Sequence, residues 1–198
     1  MNFSAYNILS ALVPGFTILF LLFHFKYLDF SETLVIPYTA VAFVVGYFVN
    51  TLSSWVEDIL HFTWNGKPSD ALLNGKSIWK VRFYNSETAR NELIKESKKE
   101  TPSNDELFQI AQRYSSTNDK VNDLLSNYAF SRVILLTIVI CLVIILTNDH
   151  TNYKLIIPCV ALFLIAWLRC KQMGYYYVRE VLSQYLNKHQ SKNNPKEG

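Results

Sequence analysis

The chain reads as an all-α polytopic membrane protein, with four transmembrane helices and a mainly helical cytoplasmic layer. Three observations predict this class. Four stretches have centres without Asp, Glu, Lys or Arg, each is close to the length that crosses a bilayer, and the basic residues between them fall mostly on one side. Bulk composition conceals the pattern. The 198 residues are 50% hydrophobic, 15% aromatic and 18% charged, with six glycines and a net charge of +3. Such values exclude a disordered, collagen-like or disulfide-scaffold chain. They do not separate soluble from membrane class.

Taken in order, residues 8–25 read ILSALVPGFTILFLLFHF and residues 33–52 read TLVIPYTAVAFVVGYFVNTL. A helix needs about 20 largely apolar residues to cross a hydrocarbon core about 30 Å thick, and both stretches meet that length. Residues 133–147 and 155–168 have shorter apolar centres. Tyr128, Ala129 and Phe130 lengthen one, while Tyr153 and the aliphatic stem of Lys154 lengthen the other, giving spans of about 130–147 and 154–169. The first stretch lacks a basic leader and a small-x-small cleavage site, so it reads as a retained span. The expected organisation is a transmembrane hairpin over 1–52, a cytoplasmic helical region over 53–129, a second hairpin over 130–170, and a cytoplasmic amphipathic helix with a basic tail over 171–198.

Orientation follows from the basic residues. Seventeen of the 19 lie in the 53–129 region, at Arg132 or in the tail, leaving only Lys26 and Lys154 in the opposite turns. Both termini and the long loop are therefore expected in the cytoplasm. The loop carries eleven acidic residues against ten basic, which argues against direct nucleic-acid binding. Helical patterning continues span two through 53–62, and residues 76–84 (KSIWKVRFY) alternate like a short strand. Residues 86–99 form a charged helix, and Ser103 to Glu106 forms a capping box. A further helix starts near Thr117 and runs into span three. Tyr175, Val178, Leu182 and Tyr185 extend span four as an amphipathic helix.

Enzymatic chemistry finds no footing. The P-loop, the dinucleotide fingerprint, Gly-x-Ser-x-Gly, Cys-x-x-Cys and His-Glu-x-x-His are all absent, so neither catalytic residues nor a cofactor is expected. The four histidines are scattered on both sides, which argues against one metal site. No ionisable residue sits at a span centre, which disfavours a proton-coupled carrier.

Polarity within the spans carries the remaining information. Asn7, Ser10, Pro14, Thr17 and His24 share a stripe on span one, and Thr39, Ala42, Gly46, Asn50 and Ser53 share one on span two. Ala42-x-x-x-Gly46 is a small-xxx-small pair that lets backbones approach. Two readings follow: the two spans pack against each other, or Ser10, Pro14, Thr17, Thr39, Ala42, Gly46 and Asn50 line a pore or the interface of a homo-oligomer. Span three, apolar nearly all round, is expected to face lipid, and Pro14-Gly15 to kink span one. Trp55, Trp167 and Tyr175 to Tyr177 suit an interfacial belt. Trp64 and Trp79 anchor the loop core or bind a cytosolic protein partner.

The opening YNILSALVPGFTILFLLF, the GYFVNTLSS exit of span two, the large loop between two hairpins and the basic-aromatic helix after span four resemble small four-span proteins of bacterial anti-phage loci. Among these are the membrane accessory of some RNA-targeting CRISPR systems and the membrane subunit of the Kiwa defence system. The resemblance lies in overall plan and carries over no catalytic residue. It implies a bacterial inner-membrane sensor or effector that works with a cytosolic partner. The expected function is an oligomeric, channel-like effector that perturbs membrane integrity; the alternative is a non-conducting anchor that recruits its partner through the 53–129 loop.

Overall fold

The computed structural model describes residues 5–78 and 80–193, with side chains for 8, 10–78 and 80–189. Eight α-helices account for most of these residues: α1 Ala5–His24, α2 Val35–Trp55, α3 Glu57–Thr63, α4 Pro68–Leu73, α5 Ser86–Ser97, α6 Asn104–Ser115, α7 Asp119–Asn148 and α8 Tyr153–Asn193. A 3-10 turn, Glu32–Leu34, leads into α2. Three apolar segments are long enough to cross a membrane, Glu32–Trp55, Asp119–Asn148 and Tyr153–His189. A shorter apolar stretch, Ser10–His24, lies in α1. This is the make-up of a helical, multi-pass membrane protein.

The chain divides into two compact units. The first comprises Met1–Asp58 and Ala129–Cys170, the second Ile59–Tyr128 and Lys171–Gly198.

In the first unit, α1 and α2 pack as a hairpin through one stripe of α2: Ala42, Gly46, Val49 and Ser53. Ile18 of α1 and Val49 of α2 meet Val133 of α7. Leu21 meets Cys141 and Ile145 of α7, with Leu155, Ile156 and Cys159 of α8 against them. Span three turns one stripe inward, where Val133, Thr137, Cys141 and Ile145 are buried, while Val143 and Leu146 are exposed; the expectation that it faces lipid holds for that second side only. Its uniform apolarity gave no polar face to read, and the four-residue spacing of Thr137 and Cys141 was the signal of the buried stripe. Span four is exposed along most of its length, with Ile157, Leu162, Leu164, Ile165 and Leu168 on the surface. An apolar surface of this extent suits hydrocarbon and not water.

α2 stops at Trp55 and does not run on through 62 as the periodicity suggests. Val56 closes the helix, with its N–H on the Leu52 carbonyl. Ser53 and Ser54 hydroxyls donate to the carbonyls of Asn50 and Thr51 at 2.7 Å, a bonding pattern that competes with helix continuation.

The second unit has its own core. Leu72 and Leu73 of α4, Ala89 and Leu93 of α5, Leu107 and Ala111 of α6, and Val121 at the start of α7 gather around α8, which contributes Tyr175, Val178, Val181, Leu182, Tyr185 and Leu186. Tyr175 and Tyr177 belong to this core and not to an interfacial belt. Consecutive helical positions fan out by 100°, so a triple tyrosine cannot share one face. The strand expected over 76–84 does not form among the described residues. Ile78 and Val81 exchange both backbone hydrogen bonds, at 3.2 and 3.0 Å, an isolated bridge that folds the segment on itself. Lys80, in the left-handed region at φ 68°, turns the chain there.

Candidate functional site

The polar and small residues of α1 and α2 were the sequence-derived candidates, and the structure separates them into two groups. Ser10, Pro14, Ala42 and Gly46 are buried. Ala42 and Gly46 sit at the crossing of α1 and α2, where the contacts are reciprocal. A Cβ at Gly15 would overlap the Ala42 carbonyl, and one at Gly46 would overlap the Ala11 carbonyl. Ala11-x-x-x-Gly15 therefore crosses Ala42-x-x-x-Gly46, glycine facing alanine both ways. Only the second pair was noticed from sequence. The first has the same spacing, and Pro14 lies within the continuous helix α1 beside Gly15.

Thr17 and Asn50 lie on the surface and Thr39 is half-buried. Thr17 donates to the Val13 carbonyl at 2.8 Å and Thr39 to the Val35 carbonyl at 2.9 Å. Thr51 and Thr137 bond back in the same way, to Tyr47 and Val133. These hydroxyls are consumed within their own helices, which makes them tolerable in hydrocarbon. Asn50 differs: an exposed carboxamide one turn and a half before the end of a long apolar helix.

Where α2 gives way to α3, Glu57 pairs with Arg132 of α7. The Arg132 side chain is only 11% exposed, and a guanidinium so enclosed needs a carboxylate partner. Sequence patterning had placed Arg132 at the edge of span three without a partner.

In the second unit Trp64 is 3% exposed. Its ring lies 5.4 Å from His61 and 6.4 Å from Tyr128. The Tyr128 hydroxyl is 3.4 Å from His61 Nε2. Gly174 completes the packing: a Cβ there would come within 3.1 Å of Tyr128 and 3.5 Å of Trp64 and Pro68. Trp64 is thus a core anchor and cannot present itself to a partner while this packing holds. Trp79, its companion candidate, lies outside the described residues.

A second cluster was not foreseen. Glu96, near the end of α5, accepts hydrogen bonds from Tyr114 of α6 and, at 2.9 Å, from Tyr185 of α8. Burial, then the bond to Glu96, pushes the Tyr185 phenol well above its ordinary range. Tyr114 is raised mainly by that carboxylate. Two phenols thereby stabilise a carboxylate at a helix C-terminus, where the macrodipole opposes negative charge. Glu180 of α8 is nearly buried and pairs with Lys120 at 3.0 Å. Burial pushes its carboxyl up, but hydrogen bonds from Gln184 and Lys120 outweigh this and hold it below the usual range.

These clusters tie helices together. Among the described residues no group of three or more His, Cys, Asp or Glu side chains could hold a metal ion. No protein-family model matches the chain, and neither a curated protein nor a solved structure matches it significantly.

Proposed function

We propose that this chain is a membrane-anchored interaction protein: the apolar helices hold it in a bacterial inner membrane, and the second unit recruits a cytosolic protein. The observation that carries this reading is the second unit's self-sufficient core, built on the latter half of α8 from four other helices. A unit with a core of its own offers a partner surface that does not depend on the spans. In the same reading α1 is a fourth span and both termini are cytoplasmic. The resemblance in overall plan to anti-phage membrane proteins gives the setting of that recruitment.

The channel-like oligomer is the second reading, and the exposed Asn50 favours it. A carboxamide on an apolar helix gains most by bonding to its counterpart on another chain. Against it stands the use of Ala42 and Gly46 within one chain.

A potential-sensitive dye in cells induced for the protein separates the two. The anchor leaves the membrane potential unchanged. Depolarisation by the wild type that Asn50→Leu abolishes would establish the channel instead.

A further inference from the structure

At the loop end of the α1–α2 hairpin the first unit holds a cleft of about 380 Å³. Phe16, Phe20 and Phe23 of α1, Phe30 of the loop, and Val35 and Tyr38 of α2 wall it, with Leu19 as its floor. The volume lies within the range of small-molecule sites. From its geometry we infer that the cleft is a binding site for one acyl chain of a membrane lipid. This inference rests on the reading that α1 and α2 span the bilayer.

Two features select that occupant. The walls are braced against collapse. Phe23 meets Phe30 edge-on at 5.7 Å and Tyr38 at 5.0 Å, while Phe30 stacks on Tyr38 at 6.0 Å. A hollow held open this way forfeits dispersion contacts until something fills it. The chemistry of the wall is equally restrictive. Tyr38 carries the only polar side-chain atom among the lining residues, and its hydroxyl donates to the Asp29 carbonyl at 2.7 Å. With that donor spent, the cleft shows carbon and ring faces only. A ligand with polar groups would lose its hydration and find no partner, whereas a hydrocarbon chain loses nothing. The mouth is open along the hairpin: Phe20 is 68% exposed, Phe30 63% and Val35 51%. In a bilayer these positions meet acyl chains directly, so entry needs no passage through water.

The test uses the full-length protein in phosphatidylcholine vesicles doped with a phosphatidylcholine that carries a diazirine on one acyl chain. After photolysis, adducts are mapped by mass spectrometry. The expected result is labelling of Phe16, Phe20 and Val35 at least five-fold above Ile157 and Ile165 of α8, which are exposed at 66% and 64% but do not line the cleft. Val35→Trp, which fills the mouth, should remove that excess and leave α8 labelling unchanged. Independently, native mass spectrometry from a mild detergent should find one retained lipid on the wild type and none on Val35→Trp. Equal labelling of cleft and α8, with Ile36 and Phe48 of α2 also labelled, would overturn the site while leaving the span intact. Absence of labelling anywhere on α1 and α2 would overturn the spanning reading and the site with it. Adducts joining Phe20 to a second protein chain would overturn the lipid in favour of a second copy.

Discussion

Gly15 and Gly46 hold a close helix contact, because each faces backbone and not a side chain that could move. Gly46→Leu should therefore separate α1 from α2 at a cost of about 3 kcal/mol, the upper range for overpacking a tight contact. Thermal unfolding in micelles measures it. Asn50→Leu, on the exposed face, should stay within about 0.5 kcal/mol of wild type. Titratable residues of the second unit make stability depend on pH at both ends. The unfolded chain loses the Tyr185 proton near its ordinary value of 10.0, while the folded chain retains it. Stability is then complete below that pH and drains away above it. Tyr185→Phe should flatten this alkaline loss and cost about 1 kcal/mol for the missing hydrogen bond. Glu180 acts in the opposite sense. Its carboxyl is held below the ordinary 4.5, so its contribution is present above that value and is lost as pH falls through the lowered one. Lys120→Met removes one of the two hydrogen bonds that overcome burial. The acid-unfolding midpoint, followed by circular dichroism, should move to higher pH.

At the scale of elements, the clearest local rule is the capping box of α6. Ser103 accepts from the Glu106 N–H, and the Glu106 carboxylate accepts from the Ser103 N–H. Lys99 also pairs with Glu106, which couples the end of α5 to the start of α6. Ser103→Ala should cost about 1 kcal/mol and raise amide exchange in the first turn of α6 before any other helix of the unit. Such local signals were legible because they depend on neighbours in sequence. The helix over 86–99 was likewise readable; it ends at Ser97 because Lys98 takes a left-handed conformation at φ 53°. The break at Val56 was not readable, since Trp55, Ile59 and Phe62 keep a helical spacing across it. That spacing places Ile59 and Phe62 on the surface, at 62% and 85% exposure, so periodicity marked a face here but not a continuous helix.

For the molecule as a whole, the two-unit division gives α7 and α8 two environments each. Both contribute an apolar length to the first unit and a mixed-polarity length to the second. The spanning reading predicts that a reporter active only outside the cytoplasm stays silent when fused after residue 198 and is active when inserted after His150; the reverse pattern would invert the topology. By itself the sequence determined helical class, the long apolar segments and the strong asymmetry of Lys and Arg, because all three depend on which residues follow one another. It also showed that the usual catalytic motifs are missing. Tertiary structure alone decided which small residues are already spent. Ala42 and Gly46 are buried by Ala11 and Gly15 of the same chain, and periodicity cannot tell a partner thirty residues away from one on another molecule. It likewise turned one stripe of span three inward, left span four exposed, and placed Trp64 in a core. Each of those outcomes depends on which faces meet, and a one-dimensional pattern records that a face exists without recording what covers it.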